Sequence, residues 1–149
     1  MRIVVLRSGE VGSKVLEYLR TTGADILDIL PTEWSDEYDT LGVRQCPARI
    51  TEFKPDWLIA AWWPMILHPV VLSACPHTLN IHNSYLPYCR GKHPNFYSIL
   101  ENAPYGVTLH EIEVGIDAGG IYCREQLPVV WEDTGETLHR RSLALAVDL

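Results

Sequence analysis

The chain opens with MRIVVLRSGEVGSKVLEYLRTTGADILDIL, residues 1–30, in which two apolar runs flank a helical pattern. Met1–Leu6 is the first run, and it ends at the turn signal Arg7-Ser8-Gly9. The apolar residues that follow recur at helical spacing: Val11, Val15, Leu16 and Leu19. Ile26–Leu30 is the second apolar run. The opening therefore predicts a βαβ unit that contributes two strands to a parallel sheet.

The rest of the chain continues this alternation of strands and helices. Trp57–Ala61 is apolar throughout, which is typical of a strand covered on both faces of a parallel sheet. Strands are also predicted at Thr78–His82, Gly106–Ile112 and Ile121–Val130, and helices at Ala48–Phe53, His68–Cys75, Pro94–Asn102 and from Asp133–Glu136 onward. Residues 31–47 are polar and acidic, and they predict a loop. We expect an α/β fold with a mostly parallel central sheet.

Length and composition predict one domain over residues 1–149. The chain has 149 residues, of which 47% are hydrophobic and 21% charged, as in an ordinary globular domain. The last helical pattern reaches Leu149 without a stop signal, which leaves open a domain that is truncated at its C-terminus.

The charge and the cysteines exclude several classes of function. A formal net charge of -7 disfavours nucleic acid as a partner, because phosphate binding needs a basic surface. No apolar run approaches the roughly 20 residues of a membrane span, so we expect no membrane and a cytoplasmic protein. The four cysteines lie far apart without a CxxC pair, which fits free thiols in a reducing compartment: Cys46, Cys75, Cys89 and Cys123.

Two polar residues stand at the end of the strand predicted over Thr78–His82. Side chains alternate between the faces of a strand, so Asn80 and His82 project to the same side. Ligands of open α/β sheets bind outside the carboxyl ends of the strands, where this pair is expected. A hydrogen-bonded strand end without catalytic function remains the alternative.

Two loops supply further polar groups. Residues 84–94 combine prolines, two tyrosines and basic side chains, and loops on a rigid scaffold often carry binding residues. Asp117 stands in a glycine-rich turn further along the chain. If the two loops meet, its carboxylate lies near His82.

Several ordered motifs together carry a family resemblance. They are Asn80-Ile81-His82-Asn83-Ser84-Tyr85-Leu86-Pro87, then Arg90-Gly91, Gly106-Val107-Thr108-Leu109-His110 and Asp117-Ala118-Gly119. In this order and spacing the chain resembles the formyltetrahydrofolate-dependent N-formyltransferases, which act on methionyl-tRNA, glycinamide ribonucleotide or nucleotide-linked amino sugars. The resemblance implies a three-layer Rossmann-like fold with a mostly parallel central sheet.

The resemblance also implies the residues of the site. The formyl donor is 10-formyltetrahydrofolate, and the catalytic set is Asn80, His82 and Asp117. The pterin pocket of the donor is expected at Trp62, Trp63, Met65, Ile66, Leu67, Val114, Gly115 and Ile116. The acceptor is expected at Tyr85, Arg90, Lys92 and His93. No metal is implied.

Formyl transfer needs both a hydrogen-bond donor and a base. Attack of an amine on the formyl carbon creates an oxyanion, which the Asn80 amide or a protonated His82 could face. The attacking amine must also lose a proton, which a neutral imidazole accepts, with Asp117 orienting the ring or relaying the proton. The sequence leaves open which of the two duties His82 performs.

Three positions depart from the family pattern. Asn83 and Tyr85 replace the residues usual in that stretch, and we expect them to reshape the acceptor side. Gly120 stands where an Asp is common, and we expect it to loosen the turn that presents Asp117.

The acceptor and other functions remain open. The leading acceptor is a nucleotide-linked amino sugar, with glycinamide ribonucleotide, another small amine or a carrier-bound aminoacyl group as alternatives. A non-catalytic α/β module that binds a folate or a nucleotide is the alternative of another class. The sequence Ser8-Gly9-Glu10-Val11-Gly12 is an incomplete dinucleotide fingerprint, with Asp25, Asp28 and Glu33 as candidate ribose ligands. A homodimer is also open.

Overall fold

The computed structural model of the protein describes residues 1–33, 48–67 and 69–149. His68 and most of the predicted acidic loop, residues 34–47, lie outside the described residues. The chain divides into two compact units, Met1–Leu79 and Asn80–Leu149.

The first unit begins with the predicted βαβ arrangement. Its elements are β1 (Arg2–Arg7), α1 (Gly9–Thr21), β2 (Asp25–Ile29), a 3-10 turn (Pro31–Glu33), α2 (Ala48–Phe53), β3 (Trp57–Ala61) and α3 (Pro69–Ser73). Strand β1 lies between β2 and β3 and is parallel to both, with Val5 opposite Asp28 on one side and Ile59 on the other. The parallel pairing predicted for the opening is confirmed.

The core of this unit forms around β1 because that strand is apolar on both faces. Ile3 and Val5 pack with Leu16 and Leu19 of α1, so the helical stripe seen in the sequence is the buried face of the helix. Gly12 permits this close approach, since a Cβ at that position would stand 2.6 Å from the Cβ of Arg7. Burial of such side chains stabilises the unit by about 1.5–3 kcal/mol each.

The boundary between the units falls within strand β4 (His77–His82), after Leu79. The second unit continues with α4 (Pro94–Leu100), β5 (Tyr105–Glu111), β6 (Ile121–Leu127) and α5 (Gly135–Asp148). Strands β5 and β6 are antiparallel, with Tyr105 opposite Leu127 and Thr108 opposite Arg124. The core of this unit includes Tyr105, whose hydroxyl lies 3.2 Å from Oγ of Ser142 on α5.

Several element ends differ from the sequence predictions, and two of these differences have a clear local cause. Strand β6 ends at Leu127 rather than Val130, because Pro128 has no N–H to continue a ladder. Helix α4 ends at Leu100 rather than Asn102, which adopts a left-handed conformation with φ of 51°. The start of α5 agrees with the prediction, since Thr134 and Thr137 form a reciprocal capping box.

Two negative findings apply to the described residues only. No helix within residues 1–33, 48–67 and 69–149 is long and apolar enough to cross a membrane. Over the same ranges, no three side chains of His, Cys, Asp or Glu are grouped as a metal ion would require.

Candidate active site

Three side chains from separate parts of the second unit meet at the carboxyl end of β4. Asn80 and His82 share one face of the strand, as their spacing predicts, and Asp117 reaches them from the loop between β5 and β6. Nε2 of His82 lies 3.3 Å from Oδ2 of Asp117. The Asn80 amide donates to Oδ1 of Asp117 over 3.4 Å. The structure thus brings together an amide, an imidazole and a carboxylate.

The Asp117 carboxylate is held by the backbone of the loop that follows β4. The Gly91 N–H donates to Oδ2 of Asp117 over 2.8 Å. Asp117 itself has a left-handed backbone with φ of 48°, which is uncommon for residues other than glycine. Its loop is closed by a hydrogen bond of 2.8 Å from the N–H of Glu111 to the carbonyl of Gly120. The loop therefore presents the carboxylate in one direction.

The neighbouring Gly119 is required by this closure. A Cβ at Gly119 would stand 2.0 Å from the carbonyl oxygen of Glu111, well inside van der Waals contact. At Gly120 the nearest atom to a Cβ is Oε2 of Glu111 at 3.9 Å, so that position has room for a side chain. The backbone contact with Glu111 thus requires a glycine at position 119 but not at position 120.

The side chain of His82 is 11% exposed, and this partial burial lowers its pKa below the ordinary value of 6.5. The nearby His110 also lowers the pKa, whereas Asp117 and a hydrogen bond to the backbone of Cys89 raise it without cancelling the burial. The imidazole is therefore neutral at neutral pH. Its buried Nε2 makes no hydrogen bond within the described residues. A neutral imidazole with a buried, unsatisfied nitrogen is suited to exchange a proton with a substrate.

His110 on β5 is a fourth member of the cluster, and the sequence prediction did not include it in the catalytic set. Its side chain is 2% exposed, and its Nδ1 lies 2.8 Å from the carbonyl of Glu111. A carbonyl oxygen only accepts, so Nδ1 is the donor in this contact, and in the tautomer with the proton on Nδ1 the other nitrogen, Nε2, is an acceptor. That Nε2 lies 3.1 Å from Nδ2 of Asn80, which donates to it.

This arrangement fixes the orientation of the Asn80 amide. Its NH₂ group faces Nε2 of His110 and Oδ1 of Asp117, which are both acceptors. A flipped amide would place its oxygen against the carboxylate of Asp117, at an electrostatic cost. The signal available in the sequence was that His110 and Thr108 share a strand face.

The loop after β4 is tied to β5 and β6 through its backbone. The Thr108 hydroxyl donates to the carbonyl of Ser84 over 2.7 Å and accepts from the N–H of Leu86 over 3.1 Å. Arg124 on β6 donates to the carbonyl of Leu86, and its guanidinium carbon lies 4.3 Å from the centre of the Tyr85 ring. The sequence prediction did not include Arg124, because only the strand register brings it to this loop.

The residues predicted to bind the acceptor all lie on this loop. Tyr85 is half-buried beside Arg124, whereas Arg90, Lys92 and His93 are exposed. Arg90 and Lys92 flank Gly91, the residue whose N–H contacts Asp117. Asn83 forms a hydrogen bond with the buried hydroxyl of Tyr105, and its expected effect on the acceptor side stays a prediction.

The residues predicted for the pterin pocket fall in both units. In the first unit Trp62, Trp63 and Met65 are half-buried and Leu67 is buried, whereas Ile66 is 82% exposed. In the second unit Val114 and Ile116 flank the exposed Gly115 and are 86% and 61% exposed. Their assembly into one pocket stays a prediction.

The candidate ribose ligands of a dinucleotide are engaged by protein groups. Asp28 receives two hydrogen bonds from the guanidinium of Arg7, of 2.7 and 2.8 Å. Glu33 accepts from the N–H of Leu30 and from Arg49, each over 2.8 Å. Asp25 lies 3.6 Å from the guanidinium of Arg2. These contacts, with the incomplete glycine motif, disfavour a dinucleotide at this corner.

Comparison with known proteins finds sequence similarity to formyl transferases. A family model described as formyl transferase matches residues 35–148. The methionyl-tRNA formyltransferase of Nitrosomonas europaea is 29% identical over 165 residues, which cover 93% of this chain and 51% of the relative. That of Lactobacillus johnsonii is 36% identical over 104 residues, covering 68% of this chain and 33% of the relative. The chain spans about half or less of these relatives.

Solved structures match nearly the whole chain. The formyltransferase PseJ of Anoxybacillus kamchatkensis, in complex with UDP-4,6-dideoxy-4-formamido-L-AltNAc and tetrahydrofolate, is 26% identical with a TM-score of 0.78, over 99% of this chain and 71% of that one. The phosphoribosylglycinamide formyltransferase of Bacillus halodurans is 22% identical with a TM-score of 0.80, over 100% and 91%. The Rossmann-like fold class predicted from the sequence is confirmed.

Proposed function

Because the chain belongs to the formyl transferase family, we propose that it moves a formyl group from 10-formyltetrahydrofolate to a primary amine. The observation that carries this proposal is the contact of Asn80, His82 and Asp117 at the carboxyl end of β4. These residues form the proposed catalytic set. In the reaction the amine nitrogen bonds to the formyl carbon, the bond from that carbon to the folate nitrogen breaks, and a proton passes from amine to folate.

His82 is proposed as the base that takes this proton. Burial lowers its pKa, so that the ring is neutral and has a lone pair to offer near pH 7. A protonated His82 that stabilises an oxyanion would need a raised pKa instead. The hydrogen bond to the backbone of Cys89 orients the ring, and the Asp117 carboxylate, 3.3 Å from Nε2, stabilises the imidazolium once it forms.

Asn80 is proposed to donate to the formyl oxygen. Its amide makes a hydrogen bond of 3.1 Å to His110 and a longer one of 3.4 Å to Asp117. The longer bond is the weaker one, and an oxygen of the substrate can replace it. His110 keeps the amide in place during this exchange.

The folate donor is supported by the chemistry of the residues around the site. The buried Nε2 of His82 has no hydrogen-bond partner within the described residues, and a reacting group could supply one. Val114 and Ile116, close in sequence to Asp117, expose apolar surface that a pterin could cover. We propose that the donor contacts Val114, Gly115 and Ile116, whereas the contribution of Trp62, Trp63, Met65, Ile66 and Leu67 stays a prediction from the sequence.

The proposed acceptor is a nucleotide-linked amino sugar held by Tyr85, Arg90, Lys92 and His93. Two exposed cations beside Gly91 suit a diphosphate, and they lie next to the residue that contacts Asp117. The relative PseJ was solved with a UDP-linked formamido sugar. A net charge of -7 disfavours a tRNA acceptor, although the relatives include methionyl-tRNA formyltransferases. Glycinamide ribonucleotide remains the second small-molecule candidate.

The cell compartment proposed for this activity is the cytoplasm. Cys75, Cys89 and Cys123 are free thiols, as expected under reducing conditions.

The proposal is tested by incubating the protein with 10-formyltetrahydrofolate and a panel of amines, and detecting a gain of one formyl group by mass spectrometry. The panel contains UDP- and dTDP-linked amino sugars, glycinamide ribonucleotide and a carrier-bound aminoacyl group. Thermal shift with a stable folate analogue and with NAD provides an independent readout. Stabilisation by NAD alone, with no formylated amine, would refute the proposal and favour a nucleotide-binding module.

Variants then test the assigned residues. His82→Ala and Asp117→Asn should each lower turnover by about 10²-fold or more, the range of general acid–base catalysis. His77→Ala is the matched control, because His77 lies at the other end of β4, where its ring stacks on Trp57. Turnover near that of the wild type in folded His82→Ala protein would exclude His82 as the base.

A further inference from the structure

Arg124 stands on the same face of the β5–β6 pair as the catalytic cluster. Its position on β6 is directly opposite Thr108 on β5, and opposed residues of an antiparallel pair point to the same face. Thr108 and His110 also share that face, because they are two residues apart on β5. The guanidinium therefore extends over the side of the sheet that carries His110 and its partner Asn80.

The guanidinium makes two different contacts with the loop that leaves the catalytic strand. One N–H donates to the carbonyl of Leu86, and the planar cation lies 4.3 Å from the centre of the Tyr85 ring. The first contact fixes the backbone, whereas the second fixes the direction of an aromatic side chain. Together they leave Tyr85 little freedom to change rotamer.

The loop has further ties on either side of Tyr85. Thr108 binds the carbonyl of Ser84 and the N–H of Leu86, and the carbonyl of Tyr85 accepts from the N–H of Tyr88, so the backbone is bonded on both sides of Tyr85. Leu86 is 1% exposed and Ser84 is fully buried. Tyr85 itself is half-buried and thus retains surface that can meet a ligand. The backbone is anchored by Thr108, but only Arg124 contacts the Tyr85 ring among the contacts described above.

We propose that Arg124 is a positioning residue for the amine acceptor, which acts by holding Tyr85 and the Leu86 carbonyl in the binding arrangement. The inference rests on the proposed function, because it assigns Tyr85 to the acceptor. Arg124 does not touch the reacting atoms in this scheme. Its loss should therefore weaken acceptor binding and leave the chemical step and the donor largely unaffected.

The test uses steady-state kinetics with 10-formyltetrahydrofolate and a UDP-linked 4-amino-4,6-dideoxy sugar. Arg124→Gln should raise the KM of the acceptor about tenfold, as expected for loss of a charged hydrogen bond. Its kcat should stay within about threefold and the donor KM should not change. Arg124→Lys keeps the charge and a hydrogen-bond donor but not the planar stacking, so its acceptor KM should lie between those of the wild type and Arg124→Gln. Arg140→Gln, at an exposed position of α5, is the matched control.

A double-mutant cycle shows whether Arg124 acts through Tyr85. In a Tyr85→Ala background, Arg124→Gln should raise the acceptor KM by no more than about twofold, because the ring that it positions is gone. Tyr85→Phe should keep the coupling, since the ring face remains. An effect of Arg124→Gln that is undiminished in the Tyr85→Ala background would overturn the proposal.

Folding and function are separated by two readouts. Circular dichroism shows whether each variant is folded, and Arg124→Lys and the Tyr85 variants carry the test if Arg124→Gln does not fold. If the wild type formylates no amine of the panel, the proposed function fails. If the wild type is active and folded Arg124→Gln has an unchanged acceptor KM, this inference alone fails.

Discussion

Replacing His110 by Phe should show how much His110 contributes to the orientation of Asn80 and how much it contributes to the stability of the second unit. Phe preserves a ring of similar size, which keeps the edge contact with His82, whose ring centre is 6.1 Å away. It removes both ring nitrogens, and with them the hydrogen bonds to the carbonyl of Glu111 and from the amide of Asn80. The amide then keeps only its 3.4 Å bond to Asp117.

The expected loss in the free energy of unfolding is about 1–3 kcal/mol, the cost of leaving buried polar groups without partners. Turnover should fall by about tenfold, less than the 10²–10³ typical of deleting an oxyanion donor, because the Asn80 donor is still present but free to rotate. Urea unfolding gives the first quantity, and kcat at saturating donor and acceptor gives the second.

Thr108→Val is the matched control for this variant. Thr108 is fully buried on the same strand face and also makes two hydrogen bonds, but both go to the loop backbone and none goes to Asn80. We expect a similar loss of stability, with the functional effect in the KM of the acceptor rather than in kcat. Wild-type kcat in His110→Phe, together with a large loss in Asn80→Ala, would refute the claim that His110 orients the amide.

Three further outcomes follow from other parts of the structure. Because the native pKa of His82 lies below 6.5, kcat/KM should be high above pH 6.5 and fall as the pH drops through the native pKa. Between pH 6.5 and the native pKa of His82, the unfolded state binds a proton that the native state does not. Urea unfolding should therefore show that the free energy of unfolding falls as the pH drops through this range, and His82→Ala should reduce the fall. Gly119→Ala should disrupt the loop of Asp117, because its Cβ would stand 2.0 Å from the Glu111 carbonyl; turnover should fall sharply while Gly120→Ala, which has space, stays near wild type. Thr134→Ala should lower the free energy of unfolding by about 1 kcal/mol with kcat unchanged, since it removes the cap of α5; an unchanged urea midpoint would show that the capping box does not stabilise the unit.

The sequence predicted the elements well where local chemistry determines them. The apolar run Trp57–Ala61 is strand β3 with the same bounds, and Pro94 and Thr134 begin helices as their preferences for helix starts predict. The alternation rule also placed Asn80 and His82 on one face. In each case the relevant information lies within a few residues of the element.

The remaining contacts depend on pairing between distant segments. Arg124 reaches Tyr85 only because β5 and β6 pair in the register that sets Arg124 opposite Thr108, and no local pattern encodes that register. The role of Asn83 was not foreseen for the same reason, since its partner Tyr105 lies on another strand. His110 is part of one of the motifs that carry the family resemblance, but its bond to Asn80 could not be inferred from spacing.

At Asp117, whose backbone is left-handed, the residue that favours thermal stability differs from the residue that favours catalysis. Asn adopts that conformation at least as readily as Asp, keeps an oxygen for the N–H of Gly91, and avoids burying a negative charge, which offsets the loss of the weak 3.4 Å hydrogen bond from Asn80. The Asp117→Asn protein should therefore have a melting temperature no lower than that of the wild type, while its turnover is far slower. Laboratory evolution that selects only for heat resistance would tend to discard the acid, so a screen for improved variants must include turnover.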